Sequence, residues 1–311
     1  LKISDLPRRF KYTKRGFPDL PVTLKHMTIH LNFIDGAVLA TNCLEMTSRE
    51  EMSELRLDAS DIEITGVQWC RAPDEAGDPL EYEYKEDKSS LHVKLPRCVT
   101  AGENFFIRTT SRCVPSDNIL EGIYKDATPE GAPQQYMSQC QQWGFQRIMP
   151  VLDDCRAKCT MTTTIEADAA YTHLISNGDI SKESNPDGVP VPKEGDKTRQ
   201  VITYENPIPM SPYLFLACVG TWDCLVDSVT YPSGRMVRLE YLVPPGLIEQ
   251  ARVPMEILKE SVLWVGRTQG YEYTFDTYRT ICMTKSNFGG MENLGNTTIV
   301  TNAALITAHT L

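Results

Sequence analysis

Apolar and polar residues alternate through most of the first two-thirds of the chain. Met27, Ile29, Leu31 and Phe33 are separated by single polar residues, the period of a half-buried strand. Asp35-Gly36 follows as a turn signal. The same period recurs in residues 55–58, 62–64 and 91–95, and Phe105, Phe106 and Ile107 carry another strand. Residues 74–78 and 87–90 read as loops between them, and residues 1–21, basic and punctuated by proline, read as an extended arm. Residues 111–135 are less regular. Strands resume at 162–165, 201–204 and 213–219, and the Pro-, Gly- and acid-rich run at 181–197 is an exposed hairpin loop. No amphipathic helix is visible before about residue 245. Many short strands with turns between them predict an antiparallel all-β domain.

The pattern changes near Thr221. Val237, Leu239, Tyr241 and Val243 alternate as a strand, and Pro244-Pro245-Gly246 breaks it. Ile248, Ala251, Met255, Leu258, Val262 and Val265 then fall at steps of three and four, one face of a helix and a core-packing stripe. Pro254 is tolerated only in a first turn, so the regular helix is expected from near Val253, with Gly270 as its stop. A strand at 278–283 follows. Strand, helix and strand in succession mark a mixed α/β region. The expected division is residues 1–221, all β, and 222–311, mixed. No internal repeat is visible.

Composition narrows the classes. The 311 residues are 41% hydrophobic and 23% charged, with a formal net charge of −10. An acidic chain with dispersed Asp and Glu disfavours nucleic acid and anionic membrane as partners. It would not repel a cationic peptide N-terminus. No apolar run is long enough to span a bilayer, and no secretory signal is expected ahead of Leu1. The ten cysteines form no paired CxxC units, and Cys155-x-x-x-Cys159 lacks a second matching half. Free, mostly buried thiols in a reducing, cytoplasmic compartment are expected. The chain starts without Met and is expected to be cut from something longer. Asp153-Asp154 has no basic or metal partner nearby in sequence and reads as a turn-capping pair. Oligomeric state has no signature in the sequence.

The stretch that carries chemistry is Phe288-Gly289-Gly290-Met291-Glu292-Asn293-Leu294-Gly295. It sets one carboxylate beside two glycines. Glycine lets a ligand approach the backbone without meeting a side chain, and an extended edge can pair with a peptide through main-chain hydrogen bonds. Glu292 is then placed to receive the positive end of that peptide. This stretch resembles the Gly-x-Met-Glu-Asn exopeptidase motif of the zinc aminopeptidases related to aminopeptidase N and leukotriene hydrolase. Four further pieces resemble that family in its order: Leu120-Glu121-Gly122-Ile123-Tyr124; Ser138-Gln139-Cys140-Gln141 before Pro150-Val151-Leu152-Asp153; Leu174-Ile175-Ser176-Asn177-Gly178; and Pro209-Met210-Ser211-Pro212-Tyr213-Leu214-Phe215.

The resemblance implies a β-sandwich-like saddle domain followed by the first part of a thermolysin-like catalytic domain. It implies removal of single residues from peptides with a free N-terminus. Carried over, Glu292 binds the α-amine and Gln141 assists it, while Gly289 and Gly290 line the peptide backbone. Gln139, Met291 and Asn293 complete the substrate-binding set. Gln146 stands where many members have Arg, and Cys155 where many have Pro.

Zinc is the cofactor that the family implies for a full-length protein. His26, His30, His92, His173 and His309 are the only histidines, and none belongs to His-Glu-x-x-His. That helix, the third ligand and the catalytic tyrosine are expected beyond Leu311, so these 311 residues are expected to hold no zinc and no activity of their own. The competing class is a binding or scaffold protein that kept the fold and lost the chemistry. An intact Glu292 favours the enzyme, since a scaffold has no use for an amine anchor.

Overall fold

The computed structural model describes residues 19–85 and 89–306. Most of the N-terminal arm, part of the expected loop at 87–90, and His309 lie outside the described residues. The first strands are β1 (Val22–Ile34), β2 (Ala37–Ser48), β3 (Met52–Asp58) and β4 (Glu63–Cys70). Next come β5 (Asp78–Pro79), β6 (Tyr82–Tyr84), β7 (Ser90–Val99) and β8 (Asn104–Cys113). β9 (Gly122–Lys125), β10 (Tyr136–Gln139), β11 (Cys159–Asp168) and β12 (His173–Ser176) follow. Then come β13 (Asp179–Ile180), β14 (Val191–Lys193), β15 (Asp196–Met210) and β16 (Ala217–Gly220). The remaining elements are β17 (Asp223–Thr230), β18 (Met236–Val243), helix α1 (Ile248–Gln269), β19 (Thr277–Met283), β20 (Gly290–Met291), β21 (Asn296–Val300) and the short helix α2 (Thr301–Ala304).

The fold is mainly β, as the alternation predicts. Among the described residues a nine-stranded sheet runs β13-β15-β11-β1-β2-β8-β4-β5, with β14 also on β15. In β1, Met27, Ile29, Leu31 and Phe33 are each no more than 2% exposed, so the period-two face is the core face. Most neighbours are antiparallel, but β1 lies parallel to β11. A three-stranded sheet, β3-β7-β6, shares the same core. The sequence at 181–197 forms the hairpin arm β14, which returns onto β15.

A four-stranded sheet, β12-β16-β10-β9, is the layer next to the rest of the chain. Its Tyr124, Met137, Ile175 and Cys218, with Leu216 just ahead of β16, pack with Trp222 against Leu242, Ile281 and Met283. These last belong to a five-stranded sheet, β17-β18-β19-β21-β20. Successive side chains leave a strand on opposite faces, so Val237, Leu239 and Tyr241 point the other way, onto Ala251 and Met255 of α1. The chain crosses through α1 from β18 to the parallel β19. Arg279 is buried at the junction. Its Nε donates to Glu240 (2.7 Å) and its guanidinium lies 5.7 Å from the Tyr204 ring centroid.

Two local expectations are corrected. Helix α1 begins at Ile248, not near Val253, so Pro254 sits inside it. Proline cannot donate to the carbonyl four residues back. The carbonyl freed in this way, that of Gln250, accepts the Ile306 N–H at 3.2 Å, and the helix continues through the proline. Gly270 ends it in the left-handed conformation (φ 64°), as expected. Its stripe packs inward except at the end, where Val265 is 41% exposed. Second, Pro212–Leu214 is a 3-10 turn rather than strand, because Pro212 opens a tight turn before β16.

Candidate functional site

The Gly-Gly-Met-Glu-Asn stretch is held at both stems and open between them. On the entering side, the buried Asp126 carboxylate accepts the N–H groups of Thr284 (3.0 Å) and Lys285 (2.7 Å). The Tyr124 hydroxyl donates to the Lys285 carbonyl at 2.7 Å. On the leaving side, Asn177 Nδ2 donates to the Leu294 carbonyl at 2.8 Å and Asn296 Nδ2 to the Ser176 carbonyl at 2.9 Å. Asn177 also accepts the Leu216 N–H (2.7 Å) and donates to the Leu214 carbonyl (3.0 Å). One buried amide thus ties three of the sequence pieces together: Leu174-Ile-Ser-Asn-Gly, the turn before β16, and the loop after Asn293. Buried polar groups that are fully paired fix geometry.

Between these stems the residues take different places. Gly290 and Met291 pair with Ile299 and Thr298 of β21, and the Gly289 carbonyl accepts the Val300 N–H at 3.0 Å. A Cβ on Gly289 would meet nothing within 4 Å, and one on Gly290 would approach the Thr298 carbonyl oxygen at 3.3 Å. Met291 is buried, so its side chain packs in the fold. Asn293 is buried; its Nδ2 donates to Thr298 Oγ1 (3.3 Å), and its Oδ1 has no partner among the described residues. Glu292 is exposed and makes no hydrogen bond or ion pair with the described residues.

Gln139 and Gln141 belong to a different turn, at the end of β10. Gln139 is buried, with its Nε2 unpartnered among the described residues. Gln141 is half-buried and lines a cavity of about 570 Å³ with Trp143, Asp153, Asp154, Arg156 and Tyr213 among its walls. The turn is tightly built. Gly144 donates its N–H to the Cys140 carbonyl at 2.9 Å, and a Cβ there would stand 2.1 Å from the Gln139 carbonyl oxygen. Gly122, opposite Gln139 on β9, has φ 69° and backs onto Arg147. Phe145 stacks on Phe215 with centroids 4.4 Å apart.

Asp153 caps this turn and Asp154 the next one, so both are turn-capping, but the expectation that they have no basic partner nearby in sequence is corrected, since Arg156 pairs with Asp154. Asp153 accepts the Gln146 N–H at 3.2 Å, and burial beside Asp58 raises its carboxyl to about 7. Asp154 accepts the Arg156 N–H and two guanidinium hydrogen bonds, which hold its carboxyl below the ordinary range. Glu292 is not among the cavity walls, and no hydrogen bond joins it to Gln141. The roles of Asn177 and Asp126 escaped the sequence reading. Asn177 stood inside a matched piece, and that was the only signal it gave.

Zinc, implied by the resemblance, finds no fitting ligand set here. Among the described residues no group of three or more His, Cys, Asp or Glu converges to hold a metal. His26 bonds Thr160, His92 bonds Glu54, and His173 bonds Thr172, on three different strands. All ten cysteines are unbridged and seven of them are buried. No helix among the described residues is long and apolar enough to cross a membrane.

A family model for the peptidase M1 N-terminal domain matches residues 23–214. Aminopeptidase N of Haemophilus influenzae is 29% identical over 281 residues, covering 89% of this chain and 29% of the relative. Leukotriene A-4 hydrolase of Xenopus laevis is 23% identical over 273 residues, covering 86% of this chain and 41% of the relative. The crystal structure of Legionella pneumophila aminopeptidase A in complex with aspartic acid shares the fold, with a TM-score of 0.78 at 22% identity, over 92% of this chain and 31% of that one. This chain belongs to the peptidase M1 N-terminal domain family. It spans less than half the length of these relatives.

Proposed function

We propose that these 311 residues are the front part of a zinc-dependent aminopeptidase, carrying its amine-binding motif and not its metal site. The division near residue 221 would separate the saddle from the start of the thermolysin-like catalytic domain. Zinc, in the whole protein, would be held by residues other than those described, and would supply Lewis-acid activation of the first peptide bond. The ten unbridged thiols support a cytoplasmic location.

The observation that carries this reading is the loop clamped by Asp126 and Asn177. Its stems are fixed, its Glu292 carboxylate is exposed and unpaired, and the space beside Gly289 is open. A carboxylate left without an internal partner on a rigid loop is ready for an external cation. The ligand is then a peptide whose free ammonium sits on Glu292, its backbone passing Gly289 and Gly290. Gln141, being neutral, orients the ammonium through its amide oxygen without adding charge. Counting one residue inward from a fixed ammonium is what an exopeptidase requires.

The test is kinetics of the full-length protein with zinc content checked. Glu292→Gln should lower kcat/KM for free-amine peptides by roughly one to several powers of ten, through a lost charge-assisted hydrogen bond and a misplaced scissile carbonyl. Gln141→Ala should cost less. A Glu292→Gln enzyme that folds, keeps its zinc and retains wild-type kcat/KM would remove the assignment.

A further inference from the structure

The face of the five-stranded sheet that meets the four-stranded one is apolar except for one row. Ile281 and Met283 of β19 pack there with Leu242 of β18. Alternate residues of a strand share a face, so Arg279 stands in line with Ile281 and Met283, where an apolar residue would extend the same contact. Its partners in register are Glu240 on β18 and Asn296 on β21, so the row runs Glu240, Arg279, Asn296. Arg279 and Asn296 are both buried. Replacing a buried ion pair by apolar residues of similar volume is often neutral or stabilising. Packing therefore does not explain why an arginine stands at this position.

Its contacts do. The Arg279 backbone N–H donates to the Gly295 carbonyl at 3.0 Å, at the leaving end of the Glu292 loop. Its Nε donates to one oxygen of Glu240 at 2.7 Å, and the other oxygen accepts Arg238 Nε at 2.7 Å. Its guanidinium lies 5.7 Å from the centroid of the Tyr204 ring, and such a contact is strongest out of water. Tyr204 belongs to β15 of the nine-stranded sheet, and its hydroxyl donates to the Leu174 carbonyl of β12 at 2.8 Å. β12 shares its sheet with β10, the strand that runs into Gln141. We propose that Arg279 is a positioning residue for the amine site. Held by Glu240 and by the Tyr204 ring, it fixes the leaving stem of the Glu292 loop against the sheets that carry Gln141. A planar guanidinium suits this task because its fork and its flat face engage two partners in one orientation. An apolar side chain would fill the space without directing it. The inference rests on the amine-anchor reading.

The test is a double-mutant cycle in the full-length protein, Arg279→Met against Glu292→Gln, read as kcat/KM on a free-amine peptide with zinc content and thermal unfolding checked. Methionine removes the directed contacts, and Arg238 still pairs with Glu240 in that variant. Arg279→Met alone should keep its zinc and lower kcat/KM by about tenfold or more. In the Glu292→Gln background it should cost less than about twofold, because the group it positions is gone. A residue that only serves the fold costs the same factor in both backgrounds. Arg279→Lys keeps the charge over Tyr204 without the planar fork and should recover part of the loss. If Arg279→Met does not fold, Tyr204→Leu takes its place in the cycle with the same expectation, since it removes the ring and leaves the ion pair. Equal factors in the two backgrounds overturn the positioning role and leave the amine anchor standing. So does a folded, zinc-loaded Arg279→Met protein with wild-type kcat/KM. A Glu292→Gln protein with wild-type kcat/KM removes the anchor, and the positioning role with it.

Discussion

At Gly144 the chain has no room for a side chain. A Cβ would stand 2.1 Å from the Gln139 carbonyl oxygen and 2.8 Å from the Gly122 nitrogen, both backbone atoms. At Gly289 a Cβ would meet nothing within 4 Å. Both glycines belong to loops that present a candidate substrate-binding residue, Gln141 in one case and Glu292 in the other. In the first loop glycine is demanded by the protein's own packing. In the second the protein makes no demand, and the space beside it is open. The same residue type is therefore required by packing at one site and left free by the fold at the other; the proposed function adds a ligand to the free one.

The sharpest way to break this contrast is to put alanine at both positions and measure denaturant unfolding. Gly144→Ala should destabilise by about 3 kcal/mol or more, because rigid backbone has to move. Gly289→Ala should stay within about 0.5 kcal/mol of the parent. Equal losses at the two positions would erase the distinction.

The next largest effect is expected at Asn177. Removing its amide strips hydrogen bonds from the Leu214 and Leu294 carbonyls and leaves the buried Leu216 N–H unpaired. An unsatisfied buried donor costs about 1–3 kcal/mol beyond the lost bonds, so Asn177→Ala should lose about 3 kcal/mol in the same unfolding measurement. Hydrogen exchange should rise at residues 294–296 more than within β1. If exchange there is unchanged, the loop is held by something other than this clamp.

That clamp also shows where a sequence stops being legible. Alternation in β1 tells which face is buried, because with a period of two a one-residue slip would turn every apolar side chain outward. It says nothing of what lies beside the strand, and the parallel pairing of β1 with β11, His26 opposite Thr160, carries no local trace. Pro254 argued for a late helix start because its missing donor is a local fact. The remedy, Ile306 bonding the Gln250 carbonyl, comes from more than fifty residues away. Glu292 could be singled out by its motif. The cavity could not, since Trp143, Arg156 and Tyr213 come from three segments that only the fold brings together.

A smaller effect distinguishes the two candidate loops through pH. The Asp153 carboxyl under the Gln141 turn is raised from 3.8 to about 7, first by burial and then by the charge of Asp58. A group whose folded value is raised contributes stability that is complete below its unfolded value and is lost as pH rises through the folded one. The window is therefore pH 4 to 7, with falling stability toward neutrality. Between pH 5 and 8 this one group should remove about 2.5 kcal/mol, at about 1.4 kcal/mol per unit. Asp153→Asn keeps an acceptor for the Gln146 N–H and cannot ionise. Unfolding of the two proteins at pH 5 and pH 8 should show that slope in the parent and its loss in the variant. A variant with the parent's slope would mean that Asp153 is ionised throughout.

The smallest expected change is at Glu292, and its smallness is the point. The side chain is exposed and has no hydrogen-bond or ion-pair partner among the described residues. Glu292→Gln keeps its shape and removes one negative charge from a chain whose formal net charge is −10. Nothing inside the fold should register the loss, and unfolding free energy should stay within about 0.5 kcal/mol of the parent. On the proposed function, the same substitution costs the full-length protein one or more powers of ten in kcat/KM, the size expected for a lost charge-assisted contact to a peptide ammonium. A residue that serves the fold loses stability and activity together. A residue that serves a ligand loses activity alone. If Glu292→Gln instead destabilises the 311-residue chain by more than about 1 kcal/mol, its carboxylate has a structural partner, and the loop beside Gly289 serves the fold just as the one around Gly144 does.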